Sequence, residues 1–156
     1  MNEFPRKKTL PSGKILEADL CYKIQGAIYS VSNKYGNGLK EQIYQKALVE
    51  ELTRQNISFE QQKRINIFSF DTGKSLGVYV PDFIVADKVI LEIKASTFTT
   101  KQDLIQQRSY LKASAYEIGY LVNFNTTKLD IRRSIFTNDR KSFIKLLKKQ
   151  TDIRNS

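Results

Sequence analysis

The residues best suited to chemistry lie in the segment Tyr79-Val80-Pro81-Asp82-Phe83-Ile84-Val85-Ala86-Asp87-Lys88-Val89-Ile90-Leu91-Glu92-Ile93-Lys94. Side chains alternate along a strand, so Glu92 and Lys94 point to one face about 7 Å apart, while Val89, Leu91 and Ile93 cover the other. On the preceding strand Val80, Asp82 and Ile84 share a face. If the connecting turn leaves three residues unpaired, Val85 pairs with Val89 and Asp82 lies directly across from Glu92. A two-residue turn sets Asp82 opposite Leu91 and separates the carboxylates. In the first register two carboxylates and an ammonium converge on one patch of sheet. Hard oxygen ligands at that density suit Mg²⁺ or Mn²⁺. Adjacent carboxylates repel each other unless a cation or proton sits between them. Lys94 can offset part of that repulsion, orient a water, or stabilise charge developing on a phosphate. The competing reading is an ordinary Glu–x–Lys salt bridge, which contributes little on an exposed strand. Against it, Glu92 interrupts a run that is otherwise apolar on both faces, where an ionised carboxylate is costly without partners.

Two weaker signals accompany this one. Glu41 falls within about 20° of Leu48 and Leu52 on a helical projection, beside an apolar arc. Its simpler reading is a boundary glutamate favoured by the helix dipole. Gln106 and Tyr110, four apart, share a helix face, and their simpler reading is a polar edge with one packed aromatic. The composition narrows the chemistry further. The chain has no histidine, which excludes histidine-based triads, general bases and metal ligands. Its 26 lysines and arginines against 16 acidic residues leave a net charge of +10, which favours a polyanionic partner. The alternative is a soluble, lysine-rich protein with no such partner. A single cysteine, Cys21, excludes an internal disulfide framework and a zinc cluster. No apolar run is long enough to span a bilayer, and the basic N-terminus has no apolar segment after it. A cytoplasmic protein of a reducing compartment, with no membrane association, is the expectation.

The elements that must position these residues follow from periodicity. Residues 1–13 read as a loose basic arm. Leu16, Leu20, Ile24, Ile28, Val31 and Tyr35 predict a helix over about 15–35, stopped by Gly36-Asn37-Gly38. A second helix fits 39–55, with Leu39, Ile43, Ala47 and Leu48 as its apolar stripe and Asn56 as its stop. From about 58 the period shortens towards two, and Ile65, Ile67, Phe68 and Phe70 suggest a strand before the Asp71-Thr72-Gly73 turn. Residues 75–85 and 88–94 read as two strands, 101–115 as a helix, 117–124 as a buried strand and 129–136 as an extended segment. A basic amphipathic helix over 139–150 places Phe143, Ile144, Leu146 and Leu147 against the domain. The order of helix, helix, three strands, helix, strand, strand, helix predicts one α/β domain with a central sheet covered by helices. It occupies 14–137, with 138–156 packed on it as helix and tail.

At these residues the chain resembles the GxxExxY proteins of the PD-(D/E)XK nuclease superfamily. Gly38-Leu39-Lys40-Glu41-Gln42-Ile43-Tyr44 matches the naming motif, and Pro81-Asp82 followed by Glu92-Ile93-Lys94 matches the superfamily's own. Gln106-x-x-x-Tyr110 resembles a helix motif of some branches, and Val122-Asn123-Phe124 with Arg132-Arg133 the usual C-terminal end. Asn37 stands where the family often has proline, and the helix after about 138 lies outside the likeness. The resemblance implies a restriction-endonuclease-like core, with a mixed sheet of four or five strands flanked by helices. It also implies the register that sets Asp82 beside Glu92. By carry-over, Asp82, Glu92 and Glu41, with the Ile93 carbonyl, would hold Mg²⁺ or Mn²⁺, and Lys94 would position or help deprotonate the attacking water. Gln106 and Tyr110 would line the site or contact the phosphate backbone; Lys101 and Arg108, outside the likeness, are further candidates for binding nucleic acid.

The leading expectation is therefore a metal-dependent nuclease acting on nucleic acid, DNA first. The competing ones are a non-catalytic nucleic-acid-binding module or accessory subunit, and a role for the basic helix in docking an acidic partner or a second copy.

Overall fold

The computed structural model describes residues 16–154, with side chains to residue 150. The expected basic arm at 1–13 lies outside the described residues. Helix α1 spans Ala18–Tyr35 and buries Cys21, Ile24, Ala27, Ile28 and Val31. Tyr35, expected on that stripe, is exposed. Gly36 ends the helix at φ 64°, its N–H bonded to the Ser32 carbonyl at 2.8 Å. Helix α2 spans Glu41–Arg54 and buries Tyr44, Leu48, Glu51 and Leu52. Of the expected stripe, Leu48 is buried and Leu39 and Ala47 pack against the core, but Ile43 faces solvent and Tyr44 takes the buried place beside it. A tyrosine can be placed inward because its hydroxyl finds backbone partners. The two helices are tied by Glu51, which accepts from Lys34 at 3.1 Å, from Gln55 at 2.7 Å and from Arg54. Those partners, Arg54 foremost, hold its carboxyl down at about 2.

Seven strands follow among the described residues. The main sheet contains β1 (Phe59–Gln61), β4 (Phe83–Val85), β5 (Val89–Lys94), β6 (Ile118–Asn123) and β7 (Asp130–Ile135), in the order β1-β4-β5-β6-β7. All neighbours are antiparallel except β5 and β6. The parallel pair requires a crossover, which helix α3 (Lys101–Ala113) supplies. Strand β6 is buried along its whole length, as its continuous apolar run predicts. Val89, Leu91 and Ile93 join Tyr120 and Val122 in the larger core beneath α1 and α2. Ile84 and Ile90 face the other way and pack with Leu111 of α3.

The remaining strands, β2 (Ile65–Phe68) and β3 (Ser75–Tyr79), form a separate antiparallel hairpin. The expected single strand over 75–85 is therefore divided between two sheets. The break falls at Val80-Pro81-Asp82, where proline lacks an N–H for the ladder and restricts the residue before it. The chain leaves the hairpin there and joins the main sheet at Phe83. The hairpin is braced on two sides. Tyr79 stacks on Tyr110 of α3, with ring centroids 3.9 Å apart. Phe68 and Phe70 stack on Phe143 at 5.3 and 6.0 Å. Phe143 belongs to α4 (Ser142–Arg154), which follows a short 3₁₀ turn at Asn138–Arg140. The C-terminal helix thus packs on the hairpin through its aromatic contacts. Its start is anchored by the buried Lys141 ammonium, which donates to the carbonyls of Ser114 at 2.8 Å and Tyr116 at 2.6 Å.

Candidate functional site

The β4–β5 turn decides whether the acidic residues meet. Ala86 and Asp87 both adopt left-handed backbone, at φ 52° and 54°, and Lys88 N–H closes the turn on the Val85 carbonyl at 3.0 Å. Lys88 is then left out of the ladder, and Val85 pairs with Val89, Ile84 with Ile90 and Phe83 with Leu91. Three residues separate the last pair, so the same register carried one step further sets Asp82 across from Glu92. Neighbours hold the turn in place: Ala86 N–H bonds Ser58 at 2.8 Å, and Asp87 accepts from Lys63 and from the Tyr116 hydroxyl. Asp82 confirms its position by accepting the Ile93 N–H at 2.8 Å.

Glu92 lies on the α3 side of the sheet, and its Oε1 is buried with no hydrogen-bond partner among the described residues. Burial pushes its carboxyl up to about 7; Lys94 and the Asp82 backbone pull the other way, and Glu41 adds to the rise. Burial raises Asp82 as well, against the Ile93 hydrogen bond and Lys94. Glu41 is raised by burial and then by the charge of Asp82, with Lys94 opposing. Glu41, Asp82, Glu92 and Lys94 therefore share one electrostatic neighbourhood. The Lys94 ammonium lies 3.9 Å from Asp103 in the first turn of α3.

Glu41 reaches this neighbourhood because the start of α2 is pinned. Gly38 sits at φ 107°, a conformation that favours glycine, and its N–H bonds Asn125 Oδ1 at 2.7 Å. Asn125 Nδ2 donates to the carbonyls of Leu39 at 2.9 Å and Ala95 at 3.2 Å. One amide thus ties the approach to α2 to the end of β5. The Tyr44 hydroxyl donates to the Gly36 carbonyl at 2.7 Å, accepts from Leu39 N–H at 3.3 Å and lies 3.0 Å from Asn125 Oδ1. Its ring stacks on Phe124 at 4.5 Å. Asn123, wholly buried, holds the loop after β5 by accepting Ser96 N–H and donating to Ser96 Oγ and Thr99 Oγ1.

The residues expected on α3 are distributed differently. Tyr110 is half-buried against Tyr79, while Lys101, Gln106 and Arg108 are exposed. The neighbouring Gln107 is the glutamine that faces the sheet. It packs over Gly119 and is buried with neither amide atom partnered among the described residues. Sequence reading passed over it, although Leu104, Gln107 and Leu111 fall at helical spacing on one face. Asp103 and Asn125 were also missed. Asp103 was detectable as a capping partner of Thr100, whereas Asn125 acts through contacts far apart in sequence that no local pattern encodes.

The donor set can be tested against a divalent cation. An unpartnered buried carboxylate oxygen, facing a second carboxylate with both pKa values raised, suits a hard cation. Among the described residues, no three acidic side chains already stand close enough together to cage one. Ile93 keeps its side chain in the core, so only its carbonyl is available as a ligand.

A mixed sheet between helices, with Glu92 and Lys94 on an inner strand and Asp82 at the entry to the next, defines a nuclease-like α/β protein. The chain belongs to the PD-(D/E)XK nuclease superfamily, whose family profile matches residues 18–134. The expected restriction-endonuclease-like core is the one it forms, with five strands in the central sheet. Among solved structures, SSO0001 is similar at 19% identity and a TM-score of 0.43, covering 90% of this chain and 69% of that one. An alkaline exonuclease, LHK-Exo from Laribacter hongkongensis, is similar at 12% identity and a TM-score of 0.40, covering 90% of this chain and 95% of that one. At that distance neither likeness carries an argument about activity. No curated protein sequence matches. Among the described residues no helix is long and apolar enough to cross a membrane.

Proposed function

We propose that this chain is a metal-dependent nuclease that hydrolyses phosphodiester bonds of DNA in a reducing, cytoplasmic compartment. The observation that carries the reading is Glu92 Oε1, buried and unpartnered beside Asp82 and on the same face as Lys94. A buried carboxylate oxygen left without a hydrogen bond is costly, and a Mg²⁺ or Mn²⁺ ion would relieve that cost. Asp82 and Glu92 would hold the ion, with Glu41 and the Ile93 carbonyl completing its shell. When bound, such an ion polarises a scissile phosphate and lowers the pKa of a coordinated water. Lys94 holds its ammonium beside the carboxylates, where it orients the attacking water, and Asp103 restrains it from the α3 side. Gly38, Glu41 and Tyr44 fit the GxxExxY pattern in a physical sense: the glycine permits the turn, the tyrosine pegs the helix start, and the glutamate is presented to the site.

The test is Mg²⁺- and Mn²⁺-dependent cleavage of labelled single-stranded, duplex and branched DNA and RNA. Asp82→Ala, Glu92→Ala and Lys94→Ala should each reduce cleavage by about 100-fold or more, the scale of losing a group that acts in the transition state. Unchanged cleavage in all three variants would sink the assignment. One observation favours a second reading, a non-catalytic nucleic-acid-binding module or accessory subunit, alone or as a dimer: the three carboxylates are near one another without forming a ready cage. That reading predicts salt-sensitive DNA binding with no cleavage under either metal.

A further inference from the structure

Helix α3 turns one amide into the interior. Gln107 is only 4% exposed, and neither its amide oxygen nor its amide nitrogen has a hydrogen-bond partner among the described residues. An amide buried in that condition costs free energy, so a residue that only filled this space would serve better as leucine or methionine. Room is kept for it on the sheet. Its Cδ and Nε2 lie 3.3 Å from the point where a side chain on Gly119 would place its Cβ. The glycine therefore lets the amide lie against strand β6.

The register of α3 on the sheet says what this amide faces. Lys94, Glu92 and Ile90 alternate along one face of β5, about 7 Å apart. Asp103, Gln107 and Leu111 follow at four-residue intervals along α3, about 6 Å apart. The helix runs back along β5, because it crosses from the end of that strand to the start of parallel β6. Both ends of the match are fixed: Asp103 lies 3.9 Å from the Lys94 ammonium, and Leu111 packs in one cluster with Ile90. Gln107 and Glu92 are the middle members of the two rows. Gly119 agrees with this placement. It pairs with Ile90, and the next residue of β6 on the same face, Leu121, pairs with Glu92. The amide thus lies over β6 on the face from which Glu92 projects, one strand spacing of about 4.8 Å away. Glu92 Oε1 is also buried without a partner among the described residues. A donor lacking an acceptor and an acceptor lacking a donor occupy one layer between helix and sheet. Gln106, about 100° further round the helix, is exposed and lies outside that layer.

We propose that Gln107 is a positioning residue for Glu92, whose amide N–H donates to Glu92 Oε1 and fixes the direction in which that carboxylate turns. The last torsions of glutamine and glutamate side chains are broad, so the bond closes without moving the backbone. A carboxylate oxygen accepts from more than one partner, so Oε1 held from α3 keeps a lone pair for a divalent cation. The inference rests on the nuclease reading for the use made of this orientation, and on the packing of α3 for the contact itself.

The contact is read first without metal, by magnetic resonance on the isotope-labelled full chain in EDTA. Gln107→Met keeps nearly the same volume and removes both polar atoms, so the fold should stand, and the loss of one side-chain amide pair assigns that pair to Gln107. Glu92→Ala should move one proton of the Gln107 pair upfield, as loss of a hydrogen bond to a carboxylate does, and leave the Gln106 pair in place. A Gln107 pair that does not move overturns the contact. Calorimetry with Mn²⁺ then reads the positioning role. Gln107→Met should bind Mn²⁺ about 10–100-fold more weakly, the usual loss when a group that orients a metal ligand is removed, and Gln106→Met should stay within about twofold of the parent. Gly119→Ala, which crowds the amide without removing it, should weaken Mn²⁺ binding by a smaller factor. Equal affinity in the parent and Gln107→Met, or a loss in Gln106→Met alone, overturns the role. A parent that binds Mn²⁺ and cleaves, with Gln107→Met unaltered in both, defeats this inference and leaves the nuclease reading standing. A parent that neither binds Mn²⁺ nor cleaves defeats the nuclease reading, and the Gln107 resonances in Glu92→Ala still decide the contact.

Discussion

Glu92 shows at the scale of one residue how a site costs its fold stability. Its carboxyl is raised from an ordinary 4.5 to about 7, chiefly by burial. Between those values the native chain holds a proton that the unfolded chain has lost, so the metal-free protein loses stability as pH rises from about 4.5 to about 7, with no further loss from this group above that. Asp82 and Glu41, also raised, add with the same sign. Glu92→Gln removes the charge and keeps the shape. It should stabilise the metal-free protein by about 1–3 kcal/mol at pH 8 and leave stability at pH 4 nearly unchanged. Denaturant titrations at the two pH values check this, and a Gln variant no more stable than its parent at pH 8 would refute the burial argument. That Glu92 and Lys94 share a face was legible from strand alternation alone. That Gln107, and not Gln106, turns inward required weighing a polar residue as part of an apolar stripe.

Among the elements, the approach to α2 is the most exacting. Gly38 has φ 107°, and a Cβ built on it meets nothing within 4 Å. Gly38→Ala therefore isolates backbone strain from steric clash. It should cost about 1–3 kcal/mol, the usual strain of an L-residue held in a sparsely populated region. Thermal denaturation should show a midpoint lower by roughly 2–10 °C for a chain of this size. Because Gly38 is bonded to Asn125, the proposed Mg²⁺-dependent cleavage should fall beyond the loss of folded protein, as Glu41 shifts. A variant as stable as the parent would mean that the turn relaxes without the glycine. The helix boundaries themselves were readable from periodicity and stop signals, Asn56 included, which adopts φ 57° at the end of α2. The β4–β5 register was not, because it depends on Ala86 and Asp87 both entering left-handed backbone and on Ser58, Lys63 and Tyr116 holding them there. Pro81 was visible as a strand breaker, but a run of alternating residues on either side of it disguised two strands as one.

Across the whole molecule, the main sheet and the β2–β3 hairpin are joined by two short stretches of chain, Gln62-Lys63-Arg64 and Val80-Pro81-Asp82. The hairpin satisfies its own ladder. It is held to the rest by Ile65 against Ile84, Ile90 and Leu111, by the Tyr79–Tyr110 stack, and by Phe143 between Phe68 and Phe70. Such a part opens more readily than a central sheet, because fewer buried contacts must break. Phe143 is fully buried and lies nearest to being its keystone. Phe143→Ala should cost about 3–5 kcal/mol, as large-to-small changes at buried aromatics do. The damage should be local. Hydrogen exchange followed by mass spectrometry should show faster exchange across residues 65–79, with 83–94 and 118–123 nearly as protected as before, at pH values where the protein stays folded. Uniformly faster exchange through all seven strands would mean that hairpin and sheet open together. The distinction reaches the site, because Asp82 follows the hairpin directly. If the hairpin opens alone, the position of Asp82 is set by its bond to Ile93 and by the β4–β5 register. The proposed metal binding should then survive in Phe143→Ala even as the hairpin loosens.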